Sequence, residues 1–466
     1  MSSQPRRSDA PRSPAVLRLT VMALLGLFLA VAPARAIEVT RVVSPGGIEA
    51  WLVEDHTNPI ISVSFAFRGG GALDPAGREG LAGMVAGLLD EGAGDLKSQA
   101  FQKKLENLSI SLNFNAGFDN FGGSLKTLTR NRDTAFDLLR LALTKPRFDA
   151  TPVERIRSQV LVELARNAKK PGRIAQRAWW KAAYPDHPYG RSRDGTPRSV
   201  KAITVGDLKG FVARRFARSN LMIGVVGDIT PAVLKTVLDR TFGALPKDPA
   251  PARVADVKPR LSGRITVLRR PIPQSRVIFG QGGIKRRDPD WYAAYVMNYV
   301  LGGGGFTSRL MDEVREKRGL AYSVASWLNP MDHSAVIAGS VGTKNAKVAE
   351  SIRIIRREWA RMRARGITEA ELHDAKTYLT GSFPLSLNST GSIASILVAV
   401  QNQRLGIDYL AKRNAFINAV SVADVDRVAK RLLTPDRLTF FVVGQPEGLT
   451  GADRREDAGA APKKGG

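Results

Sequence analysis

No cysteine occurs in the 466 residues, which excludes disulfides, thiolate metal sites, iron–sulfur clusters, cysteine nucleophiles and lipid anchoring through cysteine. Histidine is almost as scarce. His56, His187, His333 and His373 are the four present, none three or four residues from another, so no helix can offer two imidazoles to one metal ion. Long apolar runs are missing too: residues 19–31 (LTVMALLGLFLAV) number 13, against the roughly 20 that a helix needs to span a bilayer. Acidic side chains are outnumbered, 43 Asp+Glu against 70 Lys+Arg, and the formal net charge of +27 raises nucleic acid or an anionic membrane as partners. No basic cluster is interleaved with aromatics for stacking, and the basic residues of 353–365 recur at helical spacing, the pattern of a solvated face. Nucleic acid is therefore not the expected partner.

What is present begins with an address label. Arg6, Arg7, Arg12 and Arg18 precede the short apolar run, which ends in Ala34-Arg35-Ala36. A basic segment, a short apolar core and an A-x-A site describe a secretory signal peptide over residues 1–36, with cleavage after Ala36. Removing it leaves a formal charge of +23 and no later stretch apolar enough for a membrane span, so a periplasmic or secreted mature chain is expected.

The mature sequence repeats itself. Residues 203–227 (ITVGDLKGFVARRFARSNLMIGVVG) align without a gap on residues 420–444 (VSVADVDRVAKRLLTPDRLTFFVVG) at an offset of 217, with seven identities in 25 positions. Thr204 and Ser421 each precede an Asp by three residues, Asp207 and Asp424, which reads as a capping box before a helix, and each copy closes on an apolar strand and a glycine. A weaker echo at the front of each half runs strand, glycine turn, Asp-Pro (Asp74-Pro75 and Asp288-Pro289) and apolar-periodic helix.

Strands over residues 60–68 and 277–281 alternate with amphipathic helices over 151–168 and 347–365, and the Ser/Asn/Gly-rich stretch 109–127 has the period-2 alternation of antiparallel strands covered on one face. The expected fold class is α+β: two homologous domains, each a mainly antiparallel sheet packed against helices. Residues 37–245 and 263–445 are the domains, 246–262 (PKDPAPARVADVKPRLS) an extended Pro- and charge-rich linker, and 446–466 a polar, disordered tail. The glycine turns have neither G-x-G-x-x-G spacing nor a Walker lysine, which argues against nucleotide binding.

Phe67-Arg68-Gly69-Gly70-Gly71, Gly80-Leu81-Ala82, the segment YPDHPYG at 184–190, Val225-Val226-Gly227-Asp228 and GGGGFTSRLMDEVREKRGLAYSV at 302–324 occur in an order that resembles the insulinase/pitrilysin-type peptidases, the inverted zincins that include mitochondrial processing peptidase. The resemblance spans nearly all of residues 37–445. It implies H-x-x-E-H on a helix, two His for zinc with a Glu to activate the metal-bound water, and a third Glu ligand on a later helix. In this chain that motif falls on Gly83-Met84-Val85-Ala86-Gly87, so Gly83, Ala86 and Gly87 stand where the three side chains belong. The helix keeps its apolar stripe of Leu81, Met84, Val85, Leu88 and Leu89; glycine on its other face is either a vacated metal site or a demand of close packing. Glu163, at the position of the third ligand, cannot hold zinc alone and reads as a surface or salt-bridged helix residue.

The resemblance also implies an Arg and a Tyr from the second half that reach the reacting carbonyl, and Arg318-Gly319-Leu320-Ala321-Tyr322 matches that pair. A guanidinium and a phenol are suitable donors to a developing oxyanion. The functional expectation is a subunit that binds no zinc itself, paired with a zinc-bearing homologous subunit in a heterodimeric endopeptidase. Arg318 and Tyr322 would serve the partner's site, and Gly302, Gly303, Gly304 and Gly305 would line the peptide-binding chamber. The alternative is a catalytically inactive scaffold or peptide-binding protein of the same fold.

Overall fold

The computed structural model describes residues 37–449 and the backbone of Asp453–Arg455; the leader expected over residues 1–36 lies outside the described residues. The first half contributes β1 (Thr40–Val43), β2 (Glu49–Glu54), β3 (Ile60–Arg68), a short hairpin of β4 (Gly92–Ala93) and β5 (Leu96–Lys97), β6 (Ser111–Ala116), β7 (Asn120–Leu128) and β8 (Leu221–Gly227). The second contributes β9 (Ile265–Arg269), β10 (Gln274–Gly282), β11 (Ala321–Pro330), β12 (Ala335–Lys344), β13 (Thr439–Gly444) and β14 (Asp453–Arg455). Two six-stranded sheets result, ordered β1-β2-β8-β3-β7-β6 and β11-β12-β10-β13-β9-β14.

Taken from opposite ends, the orders coincide strand for strand: β6-β7-β3-β8-β2 against β11-β12-β10-β13-β9. In both, the β2·β8 or β9·β13 pair is parallel and the other shared pairs are antiparallel. The α+β class and the duplication read from the 217-residue offset are both present. The matching helices, Val205–Arg215 and Val422–Leu432, start on the same device: Thr204 Oγ1 accepts from Asp207 N at 3.1 Å while Thr204 N donates to Asp207, and Ser421 and Asp424 repeat this at 3.1 and 3.0 Å. Satisfying otherwise orphaned N–H groups in this way contributes about 1 kcal/mol to each helix.

Each half has its own apolar core, yet the halves are not independent. Helix Thr390–Asn402, from the second half, lies on β3 and β8 of the first sheet, and helix Pro171–Ala183, from the first half, lies on β10 and β13 of the second. The sequence reading placed each helix with its own half; periodicity reports which face of a helix is apolar, not which sheet receives it. Two strand glycines make the exchange possible. A Cβ on Gly224 would stand 2.9 Å from Leu397 Cβ, and one on Gly280 would stand 2.6 Å from the indole of Trp179. Trp179, Tyr184 and Tyr189, all fully buried, form a third core with Leu261, Val336, Ala338 and Phe441 where the halves meet.

Residues 246–262 run without helix or strand, but they are stitched down: Ala250 N donates to Arg214 O, Val257 N to His333 O and Arg260 N to Ala183 O. The tail expected to lack structure from 446 is described to Leu449 and again at Asp453–Arg455, where it adds a strand parallel to β9; residues 450–452 and 456–466 lie outside the described residues. The described residues from Val39 to Leu449 form one body.

Candidate functional site

The helix that would carry the zinc ligands spans Leu81–Ala86, with Gly87 as its C-cap. Leu81, Met84, Val85, Leu88 and Leu89 are all buried in the first core as their spacing predicts, but the helix ends at Ala86 and the last two lie in the turn beyond it. Asp74 holds the start of the helix, accepting from Gly80 N at 3.0 Å and Ala82 N at 3.1 Å; burial pushes its carboxyl up to about 7 against those donors. Close packing does not explain Gly83. Its Cα is exposed and a Cβ there would meet nothing within 4 Å, while one on Gly87 would come 3.3 Å from Ile156 Cγ2. The face is open at Gly83 and closed over at the buried Ala86, and Gly83, Ala86 and Gly87 put no metal-binding side chain on it.

Helix Ala150–Lys169 carries Glu163, half exposed and paired with Arg166 at 3.4 Å and Lys170 at 3.7 Å. That is the surface salt-bridged role expected for it. Among the described residues no group of three or more His, Cys, Asp or Glu is arranged to hold a metal ion. The residues at the motif positions do not fit zinc, and no chemistry of this chain is routed through one.

The other pair sits at the free edge of the second sheet. Between Ala321 and Ser323 the β11·β12 register shifts, leaving Tyr322 as the extra residue of a β-bulge. A bulge bends the strand and re-aims one side chain, and Tyr322 is 82% exposed. Gly319, at φ +57°, supplies the left-handed turn that leads into the strand. The Arg315 guanidinium lies 4.9 Å from the centre of the Tyr322 ring and 4.6 Å from that of Phe306, itself exposed, so one cation is shared between two aromatic faces.

Arg318 is tethered. Its Nη1 donates at 2.7 Å to both the backbone O and Oε2 of Glu313, a carboxylate that also accepts from Lys317 Nζ (2.8 Å) and Arg357 Nη2 (2.6 Å). Burial alone would raise the Glu313 pKa; the Lys317 and Arg318 donors outweigh it and hold the group below its ordinary value.

The four glycines divide. Gly302 is buried, with room for no Cβ because Ser326 Oγ would lie 2.5 Å away and Leu310 2.8 Å away; it lets the chain pass beneath β11 and so packs rather than lining a chamber. Gly303 and Gly305 are exposed beside Phe306, Gly304 is half-buried, and Gly305 takes φ +58° in open space.

Three cavities, of about 1140, 850 and 690 Å³, lie between the halves, and none of the three is lined by Arg318, Tyr322 or these glycines. What lines them includes a network the sequence reading missed. The β6–β7 and β11–β12 turns meet there: Tyr189 Oη donates to Asp119 at 2.6 Å, Asp332 N donates to the other Asp119 oxygen at 3.1 Å, and His333 N donates to Tyr189 Oη at 3.1 Å. Burial, then Asp119, raises the Asp332 pKa, opposed by Arg68. Asp119 and Asp332 occupy corresponding turns of the two halves, so extending the internal alignment into the hairpins was the signal that could have found them.

Family models match both halves: residues 50–196 fit insulinase (peptidase family M16) and residues 202–379 fit the peptidase M16 inactive domain. In sequence the chain is 28% identical over 392 residues to a protein of Helicobacter pylori named non-peptidase homolog YmxG, covering 84% of this chain and 90% of that one. It is 24% identical over 406 residues to the probable mitochondrial-processing peptidase subunit beta of Schizosaccharomyces pombe, covering 83% and 86%. In structure it is similar to a peptidase M16 inactive domain from Pseudomonas fluorescens, with a TM-score of 0.82 and 29% identity over 90% of this chain and all of the other. A protease from Helicobacter pylori shares the fold at a TM-score of 0.79 and 21% identity, covering 87% and 99%. The chain belongs to the insulinase family, peptidase family M16, as a member in which Gly83, Ala86 and Gly87 replace the His and Glu residues of the zinc motif.

Proposed function

We propose that this chain is the non-zinc-binding subunit of a heteromeric zinc endopeptidase, exported to the periplasm, which binds extended peptide and presents Arg318 and Tyr322 to the active site of a zinc-bearing homologous subunit. The observation that carries the reading is the bulge at the free edge of β11: it turns a phenol outward at 82% exposure, beside an arginine held in place by a buried carboxylate. An exposed strand edge next to such donors suits a substrate that adds as a further strand, with main-chain hydrogen bonds giving affinity and little dependence on side-chain identity. The open face at Gly83 supports the division of labour, since it leaves the metal chemistry to another chain. Among the described residues no single helix is long and apolar enough to cross a membrane.

The test is to purify the chain alone and together with a zinc-bearing homologue, and to assay cleavage of a quenched-fluorescence peptide. Turnover is expected only in the complex. There Tyr322→Phe lowers kcat by about 10²-fold, the size of a lost oxyanion donor. Turnover by the purified single chain with stoichiometric zinc, or an unchanged kcat for Tyr322→Phe, would overturn the proposal.

A second reading has its own support. Arg318 is engaged by Glu313 as a structural side chain would be, and two of the similar proteins are named a non-peptidase homolog and an inactive domain. A catalytically inactive scaffold of this fold predicts tight assembly and no effect of Arg318→Ala on turnover.

A further inference from the structure

The cavity of about 1140 Å³ between the halves is strongly cationic, and its positive charge is not matched by the carboxylates on its wall. Arg68, Lys258, Arg287, Arg404 and Arg437 all line it. Arg68 donates only to the carbonyls of Gln401 and Asn402, at 3.5 and 3.0 Å. Lys258, Arg287, Arg404 and Arg437 have no ion pair with any described residue. The carboxylates on the same wall are two, Asp288 and Asp332. Asp288 is occupied by Arg431 at 2.7 Å, which leaves Asp332 alone to face Arg68 and Arg404. The crowding has a signature: burial first, then the neighbouring Arg404 and Arg287, hold the Arg68 guanidinium below its ordinary pKa.

Extent distinguishes the kind of anion. Arg68, Asp332 and Arg404 also line the adjoining cavity of about 850 Å³, whose wall adds Arg215 and Arg253 together with Asp119 and Asp256; Asp256 is held by Lys285 and His333 and Asp119 accepts from Tyr189 and Asp332 N, so cations without an ion pair continue from one cavity into the next. A single phosphate or carboxylate would satisfy two or three of them. A ligand that meets all of them needs several negative groups spaced along a chain.

We propose that the cleft between the two halves, lined by Arg68, Lys258, Arg287, Arg404 and Arg437, is a binding site for an acidic polypeptide segment. It is separate from Arg318 and Tyr322, and it needs neither zinc nor a partner subunit. Arg68 is half-buried while Arg287 and Arg404 beside it are exposed, so a carboxylate placed among them offsets the crowding of like charge and gains a charge-assisted hydrogen bond. Surface basic residues elsewhere, such as Arg353 and Arg365, offer the same charge without the enclosure.

The experiment uses the full chain and dye-labelled hexaglutamate, followed by fluorescence anisotropy, with hexaglutamine as the uncharged control. Saturable binding of hexaglutamate alone is expected, weakening as salt is raised. The double variant Arg287→Gln/Arg404→Gln weakens it by about tenfold, since two partly exposed charge contacts are lost; Arg353→Gln/Arg365→Gln, which removes equal charge from an exposed helix face, leaves it unchanged. Both Arg287 and Arg404 are exposed, and if the double variant melts early, Arg287→Gln alone with a smaller loss carries the test. Equal losses in the two double variants, or equal binding of hexaglutamine, would overturn the site. Displacement of hexaglutamate by equimolar inorganic pyrophosphate would also overturn it, in favour of a small-oxyanion site. None of these outcomes touches the proposed role of Tyr322, which is read from turnover.

Discussion

Glu313→Gln is the sharpest probe of how the second half presents its arginine. The wild-type carboxylate is buried and accepts three charge-assisted hydrogen bonds, from Lys317, Arg318 and Arg357, all within 2.8 Å. A hydrogen bond to a charged group contributes about 1.5–3 kcal/mol, but the three cations are between about one-third and one-half exposed and can turn to water when the carboxylate is neutralised, so most of that is recovered. A net loss of about 2 kcal/mol remains, for a buried amide whose NH₂ now faces cations. For one body of roughly 400 residues this lowers Tm by about 2 °C. The pH dependence has a definite sign. The folded pKa of Glu313 lies below its ordinary 4.5, so its contribution is present above that value and is lost as pH falls through the folded pKa. Thermal melts by circular dichroism should therefore show a gap between wild type and variant that is full at neutral pH and closes in acid. Combining Glu313→Gln with Arg318→Ala should give a coupling of about 1 kcal/mol. Equal Tm values at neutral pH, or additive losses, would refute the argument that Glu313 positions Arg318.

Other substitutions divide by sign. Gly83→Ala adds a methyl group to open space in a helix and should raise stability by about 0.5–1 kcal/mol, measured by urea denaturation, with turnover of the complex unchanged. Gly280→Ala puts a Cβ against the Trp179 indole and should cost about 1–3 kcal/mol by the same measurement, because the exchanged helix Pro171–Ala183 must move outward. Asp74, whose folded pKa is raised to about 7 by burial, contributes stability that is present below its ordinary value and lost as pH rises through 7. Melting curves across pH 6–8 should fall for wild type, and Asp74→Asn should remove part of that fall; a slope identical in the two proteins would reject the assignment.

The elements legible in the sequence are those fixed by local chemistry. β3 was read over its full span of Ile60–Arg68, and the two capped helices were placed by a hydroxyl and a carboxylate three residues apart. The stripe from Leu81 to Leu89 gave the buried residues one by one, although the helix itself ends at Ala86. What stayed hidden depends on partners distant in the chain. Gly224 and Gly280 read as ordinary strand glycines until a helix from the other half is seen lying on each. Gly302, taken for a chamber wall, is a packing glycine under Ser326, and no local pattern distinguishes a glycine required by an exposed turn from one required by a neighbouring strand. Tyr322 was identified through its motif, but the bulge that exposes it is a property of the β11·β12 register.

The two glycine faces, taken together, bear on how this chain came to be arranged as it is. Had Gly83 been selected for packing, a Cβ there would collide with a neighbour, as it would at Gly224, Gly280 and Gly302; instead it meets nothing. A helix glycine in open space lowers stability by about 1 kcal/mol relative to alanine and gains no contact in return, so packing cannot be the reason for it. The helix is nonetheless kept over Leu81–Ala86, held at its start by Asp74, with Leu81, Met84 and Val85 buried in it and Leu88 and Leu89 buried just beyond its end. The helix packs on β6 and on the helices Val205–Arg215 and Ala150–Lys169, so what its retention serves is the core of the first half. The bulge of β11, by contrast, leaves the Tyr322 phenol four-fifths in solvent with the Arg315 guanidinium over its ring, where it adds little to the packing of either core.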